Sequence, residues 1–189
     1  MKLIVGLGNP GRIYAKTRHN IGARLIQTLA RDNRIVLKRS LLRSAQEGRG
    51  IIGGQETILA IPLTYMNLSG KALDSLIKRY KIKPQELLIV YDDLDLEFGR
   101  IKIKAGGGSA GHRGVNSIIE SLKTQDFGRL RLGIGRPKHK EDVADFVLSP
   151  FNSTELRTLD DFLDKARQCC VDWLKYGIAK CMEKYNVRE

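Results

Sequence analysis

Short apolar runs alternate along this chain with stretches whose apolar residues recur at helical spacing. That alternation restricts the fold more than any other feature. Residues 3–7, 57–61 and 87–91 are runs of the first kind and read as buried strands. Three sets keep one helical face between and after them: Ile21, Leu25, Ile26 and Leu29; then Leu73, Leu76, Ile77 and Tyr80; then Val115, Ile118, Ile119 and Leu122. This order predicts an α/β fold in which helices cover a mainly parallel sheet. Two segments depart from it. Arg100-Ile101-Lys102-Ile103-Lys104 and Arg129-Leu130-Arg131-Leu132 alternate polar with apolar. Strict alternation predicts one wet face, as in antiparallel or edge strands. The sheet is therefore expected to be mixed, with Arg100, Lys102 and Lys104 along one side, Arg129 and Arg131 along one side, and a basic flank. The plainer account of these charges is protection of a sheet edge.

At 189 residues the chain has the length of one domain, and no repeat or low-complexity stretch divides it. Asn152 and Glu155 resemble a capping box. Leu156, Leu159, Leu163, Ala166, Cys170, Trp173 and Leu174 then keep helical spacing. One domain is expected over residues 1–189, with 152–189 as a C-terminal helical segment broken at Gly177. Its basic residues Lys180, Lys184 and Arg188 suit either a solvated face or a nucleic-acid contact. Lys and Arg total 33 against 21 Asp and Glu, a net charge of +12 that suggests a polyanionic partner, commonly nucleic acid. Aromatics are only 6%, which argues against an aromatic surface for stacking single-stranded bases. No apolar run approaches the ~20 residues of a membrane span, and the first residues enter a strand too short for a signal peptide. Three cysteines, two of them adjacent, do not suggest a disulfide framework, so a reducing cytoplasm is expected. Cys170 reads as core.

Several residues could carry chemistry. Gly6-Leu7-Gly8-Asn9-Pro10-Gly11 has the glycine spacing of a dinucleotide fingerprint. However, Pro10 and the polar residues 12–18 delay the helix to near Asn20, and the next strand ends at Lys38-Arg39 rather than at a ribose-binding acid, so a nicotinamide cofactor is not expected. The glycine-rich loop Gly106-Gly107-Gly108-Ser109-Ala110-Gly111-His112 runs into a helix and offers bare amides to an anion or a substrate backbone. It lacks the Lys-Ser/Thr ending of a nucleoside-triphosphate loop. The histidines are His19, His112 and His139; none has metal-ligand spacing, and zinc is not expected. His19 follows the first strand and Asp92 ends the third. Carboxyl ends of strands in an open α/β sheet face the ligand crevice, so the two can meet. A carboxylate on one ring nitrogen leaves the other to take a proton from water. A competing reading of Asp92, Asp93, Asp95 and Glu97 is a magnesium site. Asn9 and Asn67 also follow strands. Their amides suit a carbonyl oxygen that gains charge, although a turn or a helix cap explains each equally well.

Taken together, the motifs resemble those of the bacterial-type peptidyl-tRNA hydrolase family. Val5-Gly6-Leu7-Gly8-Asn9-Pro10-Gly11, Tyr14 and Thr17-Arg18-His19-Asn20-Ile21-Gly22 are similar to its opening signature. Pro62-Leu63-Thr64-Tyr65-Met66-Asn67-Leu68-Ser69-Gly70, Asp92-Asp93-Leu94-Asp95 and residues 106–114 follow in order, as do Arg129-Leu130-Arg131-Leu132-Gly133-Ile134-Gly135-Arg136-Pro137 and Phe146-Val147-Leu148-Ser149-Pro150-Phe151. The resemblance implies a single α/β domain with a mixed, twisted sheet, phosphorylase/hydrolase-like. It implies hydrolysis of the ester between a peptide and the 3′ ribose of tRNA, without metal or cofactor. His19 falls on the family's catalytic histidine and Asp92 on its orienting aspartate. Asn9, Tyr14, Met66, Asn67, His112 and Arg113 fall on substrate-binding positions. Lys104 and Arg131 fall on residues that hold the tRNA's 5′ phosphate. Arg113 is a departure, because many members have asparagine there, and a guanidinium only donates. The expected partner is peptidyl-tRNA, with no membrane and no obligate protein partner; the chain is expected to be a cytoplasmic monomer. A contrasting class, an RNA-gripping module without hydrolysis, is disfavoured by retention of His19, Asp92, Asn9 and Asn67.

Overall fold

Every residue after the first of β1 (Lys2–Gly6) is buried, and this burial on both faces puts the strand in the middle of the sheet. In the computed structural model, which describes residues 1–40, 44–137 and 143–187, β1 pairs in parallel with β4 (Gln55–Pro62) and with β5 (Leu87–Asp93). β7 (Gly128–Gly133) lies parallel to β5. Antiparallel strands close both sides: β3 (Ala45–Ile52) on β4 with β2 (Lys38–Ser40) beyond it, and β6 (Ile101–Lys104) on β7. The order is β2-β3-β4-β1-β5-β7-β6, the mixed sheet that the sequence predicts.

Helices cover both faces. α1 (Ile21–Asp32) and α5 (Ser153–Tyr185) bury Ile4, Leu88, Val90 and Leu130. α2 (Ser69–Tyr80) and α3 (Arg113–Leu122) bury Leu3, Val5, Ile58 and Ile89. The α2–α3 contact depends on Gly70. A Cβ there would sit 2.1 Å from the Ser117 carbonyl oxygen. Gly70 N–H instead donates to Ser117 Oγ, and Ser121 Oγ donates to Gly70 O, both at 3.1 Å. The expected box caps α5: Asn152 Oδ1 accepts from the N–H groups of Thr154 and Glu155, and Glu155 accepts from Asn152 N–H. Gly177 breaks the helix with φ 81°. At the far end, the Asn186 amide bonds both Ile103 N–H (2.9 Å) and Ile103 O (2.8 Å), which covers the β6 edge. Cys169, Cys170 and Cys181 are buried and unpaired.

The structure departs from the sequence reading at four points. β7 is an inner strand rather than a wet one, and Arg129 on it is 2% exposed. Its guanidinium donates to Gly108 O (2.6 Å) and Gln125 O (3.2 Å) and stacks on Phe127. Burial is tolerated because backbone carbonyls and a ring replace water. β3 is absent from the sequence reading because Gly48 and Gly50 interrupt its pattern. The Ile35 side chain occupies the space their Cβ atoms would need. β2 begins at Lys38 as the outermost strand instead of ending a strand at Lys38-Arg39. Leu156, placed on the buried helical face by spacing, is 53% exposed.

Candidate active site

The carboxyl ends of β1, β4 and β5 deliver the expected residues to one place. Beyond β1 the chain is pinned to its neighbours, with Leu7 N–H donating to Val90 O and Ala23 N–H to Leu7 O. Asn20, at the cap of α1, then clamps the next residue. Its Oδ1 accepts from Asn9 N–H at 2.8 Å and its Nδ2 donates to Asn9 O at 2.9 Å. The Asn9 side chain is oriented in turn, because its Oδ1 accepts from Met66 N–H at 2.8 Å. The amide nitrogen of Asn9 is thereby the end left for a ligand. Met66 and Asn67 form a short 3-10 turn between β4 and α2. Asn67 does not cap α2; Leu68 holds the cap position with no side-chain bond, and the Asn67 amide is exposed at the site.

His19 and Asp92 meet. His19 Nδ1 lies 2.9 Å from both oxygens of Asp92, and His112 Nε2 lies 3.0 Å from Asp92 Oδ1. His112 caps α3, its Nδ1 accepting from Val115 N–H at 3.2 Å. Both tautomers follow from this network. A nitrogen that accepts a backbone N–H carries no proton, so His112 donates through Nε2. The carboxylate accepts from His19 Nδ1–H, which leaves His19 Nε2 with its lone pair free. Only 2% of the Asp92 side chain is exposed. Burial alone would push its carboxyl up, but the charges and hydrogen bonds of His19 and His112 outweigh burial and hold it well below the usual carboxylate range. The two imidazoles stand 5.1 Å apart, and Tyr91 packs edge-on against His112 at 4.8 Å.

These groups line a cavity of about 690 Å³. Asn9, His19, Met66, Asn67, Asp92, His112 and Arg113 all face it, so seven of the ten site residues named from the sequence come together. The other wall is apolar: Leu94, and Val143, Ala144, Val147 and Leu148 of the short helix α4 (Val143–Leu148). Tyr14 is not part of the lining; it sits in a 3-10 turn whose carbonyl accepts from Thr17. Lys104 and Arg131 are also outside it. Register puts Lys102 opposite Arg131 and Lys104 opposite Arg129, so all four share one face beside the site. Arg131 already pairs with Asp93, leaving further N–H donors free by valence. His139 and Arg188 lie outside the described residues.

Sequence reasoning missed two supports. Arg18, 5% exposed, joins the residue before His19 to the far end of the chain. It donates to Ser149 Oγ (2.6 Å), Pro150 O and Glu155 Oε2 (2.6 Å), and its guanidinium lies over Phe146 and Phe151. Arg129, described above, props the glycine loop that carries His112. That loop takes positive φ angles at Gly107 (124°), Ala110 (47°) and Gly111 (80°). A cationic residue inside an otherwise apolar or motif-rich stretch is the signal that could have found both.

Among the described residues, His19, Asp92 and His112 are the one group of three side chains close enough to share a metal, with ligand atoms within 4.8 Å. Those atoms are already bonded to one another, so a cation would have to displace two N–H protons. The magnesium reading does not fit, because Asp93 pairs with Arg131 and Asp95 with Arg136.

Comparison with known proteins agrees with this geometry. The sequence model of the peptidyl-tRNA hydrolase family matches residues 3–189. Peptidyl-tRNA hydrolases of Sulfurihydrogenibium sp. and Aquifex aeolicus are each 46% identical to the chain, covering 98% of it and 97% and 96% of their own lengths. The crystal structure of peptidyl-tRNA hydrolase from Acinetobacter baumannii superposes with a TM-score of 0.93 at 39% identity, covering 100% of this chain and 96% of that one. A purine nucleoside phosphorylase from Toxoplasma gondii, 6% identical with a TM-score of 0.53, shares the fold alone. A family match over nearly the whole length, together with the meeting of His19 and Asp92, places this chain in the peptidyl-tRNA hydrolase family.

Proposed function

We propose that this chain hydrolyses the ester joining a peptide's C-terminal carboxyl to the 3′ ribose of tRNA, releasing free peptide and free tRNA. The observation that carries the reading is His19, in the cavity lining, with Nδ1 against a buried carboxylate; a proton on Nδ1 leaves Nε2 as the base. Nε2 takes a proton from water as the water oxygen bonds to the ester carbonyl carbon. Asp92 stabilises the imidazolium that forms. The tetrahedral oxyanion accepts from the Asn9 and Asn67 amides. It then collapses, the carbon–oxygen bond to the ribose breaks, and the ribose oxygen takes the proton from His19. Such general-base assistance supplies about 10²–10⁴ in rate. His112, with both nitrogens engaged, holds Asp92 and does not exchange protons.

Amide-lined walls suit a peptide's N–H and C=O, whereas a free α-ammonium would be desolvated there without a partner. N-blocked aminoacyl groups are therefore cleaved in preference to free ones. Lys104, Arg131 and the basic end of α5 hold phosphates, which positions tRNA without reading its sequence. Tyr14, in the turn before His19, is kept as a substrate-binding residue, although it lies outside the cavity lining. The reading requires no metal, no cofactor and no second subunit, and places the chain in the cytoplasm. Among the described residues, no helix is long and apolar enough to cross a membrane.

The test is deacylation of N-acetylaminoacyl-tRNA in the presence of a chelator. His19→Ala is expected to lose at least about a hundredfold in kcat. Unaltered turnover by that variant would remove the mechanism, and equal cleavage of free and N-acetylated aminoacyl-tRNA would remove the selectivity.

A further inference from the structure

A second cavity, of about 370 Å³, opens from the first. The two share Asn67, Ser109, Gly111 and Arg113, and the second continues along α3 past Asn116 and Ser117 to Glu120. Charges around both cavities are almost all matched. Asp92 holds two imidazoles, Asp93 holds Arg131, Asp95 holds Arg136, and Glu120 takes the Asn116 amide at 2.8 Å. That amide is neutral, so Glu120 has no cationic partner among the described residues, and Arg113 is the one cation of the lining without a carboxylate. It lines both cavities at the first turn of α3, and among the described residues no carboxylate lies within ion-pair distance of it. Glu120, seven residues on, is about 10 Å away along the helix axis. No ion pair joins it to Arg113 among the described residues, so the guanidinium keeps its donors for a ligand.

We propose that Arg113 selects for an acidic side chain on the peptide, at the residue preceding the ester-linked one. The assignment rests on the reading that this cavity cleaves peptidyl-tRNA. The ester carbonyl must lie at His19 and Asn9, so the ester-linked residue fills the space beside them. The peptide then leaves along the opening shared by the two cavities, where the next side chain meets the guanidinium. A carboxylate accepts two parallel N–H bonds from such a fork, which a neutral amide does not. An asparagine at this position would provide no charge preference.

The experiment compares N-acetyl-Glu-Ala-tRNA, N-acetyl-Gln-Ala-tRNA and N-acetyl-Lys-Ala-tRNA, each cleaved by the wild type, Arg113→Gln and Arg113→Glu. The readout is the ratio of kcat/KM values within one enzyme preparation, so partial misfolding cancels. For the wild type the Glu substrate is expected to exceed the Gln substrate by about two- to fivefold, the range of a partly exposed ion pair, and more at low salt. The ratio should fall to one in Arg113→Gln, and Arg113→Glu should favour the Lys substrate. A wild-type ratio of one overturns the proposal. So does an equal loss on all three substrates in Arg113→Gln, because it would mean that the guanidinium holds a tRNA phosphate. Failure of the wild type to cleave any of the three would instead overturn the proposed function, and the inference with it.

Discussion

Replacing Arg18 by methionine removes the one side chain that ties the residue before His19 to the cap of α5. The Arg18–Glu155 pair is 2.6 Å long, with side-chain exposures of 6% and 15%. Breaking a buried pair by deleting one partner costs about 3–5 kcal/mol, because the other charge is left without compensation. Glu155 keeps the Asn152 N–H at 2.7 Å, and methionine refills part of the space over Phe146 and Phe151, so the low end applies. For a chain of this size about 3 kcal/mol lowers Tm by roughly 6–12 °C. Thermal unfolding followed by circular dichroism measures it. The double variant Arg18→Met/Glu155→Gln should recover several degrees, since no charge is then orphaned. Deacylation should lose kcat more than KM, because His19 loses its neighbour's anchor while the phosphate contacts remain. A Tm drop below about 2 °C, or a double variant no more stable than the single one, would refute the reasoning.

Asp92→Asn tests the buried carboxylate through pH. Folding holds this carboxyl below its unfolded value of about 3.9, so its contribution is fully present above that value and disappears as pH falls through the folded one. The stability gap between wild type and variant, read by urea titration, should narrow as pH falls below about 4; a gap of unchanged size between about pH 4 and 2 would contradict it. Gly70→Ala drives a methyl group into the Ser117 carbonyl, and should cost about 1–3 kcal/mol by overpacking. Because α3 carries His112 at its cap, kcat should fall as well; a fully stable, fully active variant would show that the α2–α3 spacing is not critical. Lys104→Ala should raise KM with kcat unchanged and reduce the slope of log KM against log salt by about one. A slope identical to the wild type would remove Lys104 from the phosphate contact.

The parallel strands β1, β4 and β5 and their helices were legible because those runs are apolar and each helix keeps one face, whereas β7, parallel to β5, was hidden by its alternating arginines. The meeting of His19 and Asp92 was legible as a possibility, since Asp92 ends β5, His19 sits in the segment after β1, and the two parallel strands point toward the same crevice; their roles came from the resemblance. What was hidden depends on neighbours distant in sequence. Gly48 and Gly50 look like breaks until Ile35 is seen lying across them. Arg129 looks like a surface charge until the carbonyls of Gly108 and Gln125 come into reach. Arg18 reads as one more basic residue in a basic chain, and only the fold brings Ser149, Pro150 and Glu155 around it. Tyr14 came by resemblance of its segment; it is half-buried in the turn after β1 and is not among the residues that line the cavity. Local pattern encodes burial and periodicity, whereas the partner of a buried charge is set by tertiary contact.

Nitrogen-15 NMR of histidine-labelled protein bears most directly on the proposed chemistry. At a pH where the imidazole is neutral, His19 should show a proton on Nδ1 and a bare Nε2, and Asp92→Asn should disturb that assignment. A proton found on Nε2 in the wild type would leave no base facing the ester and would contradict the account.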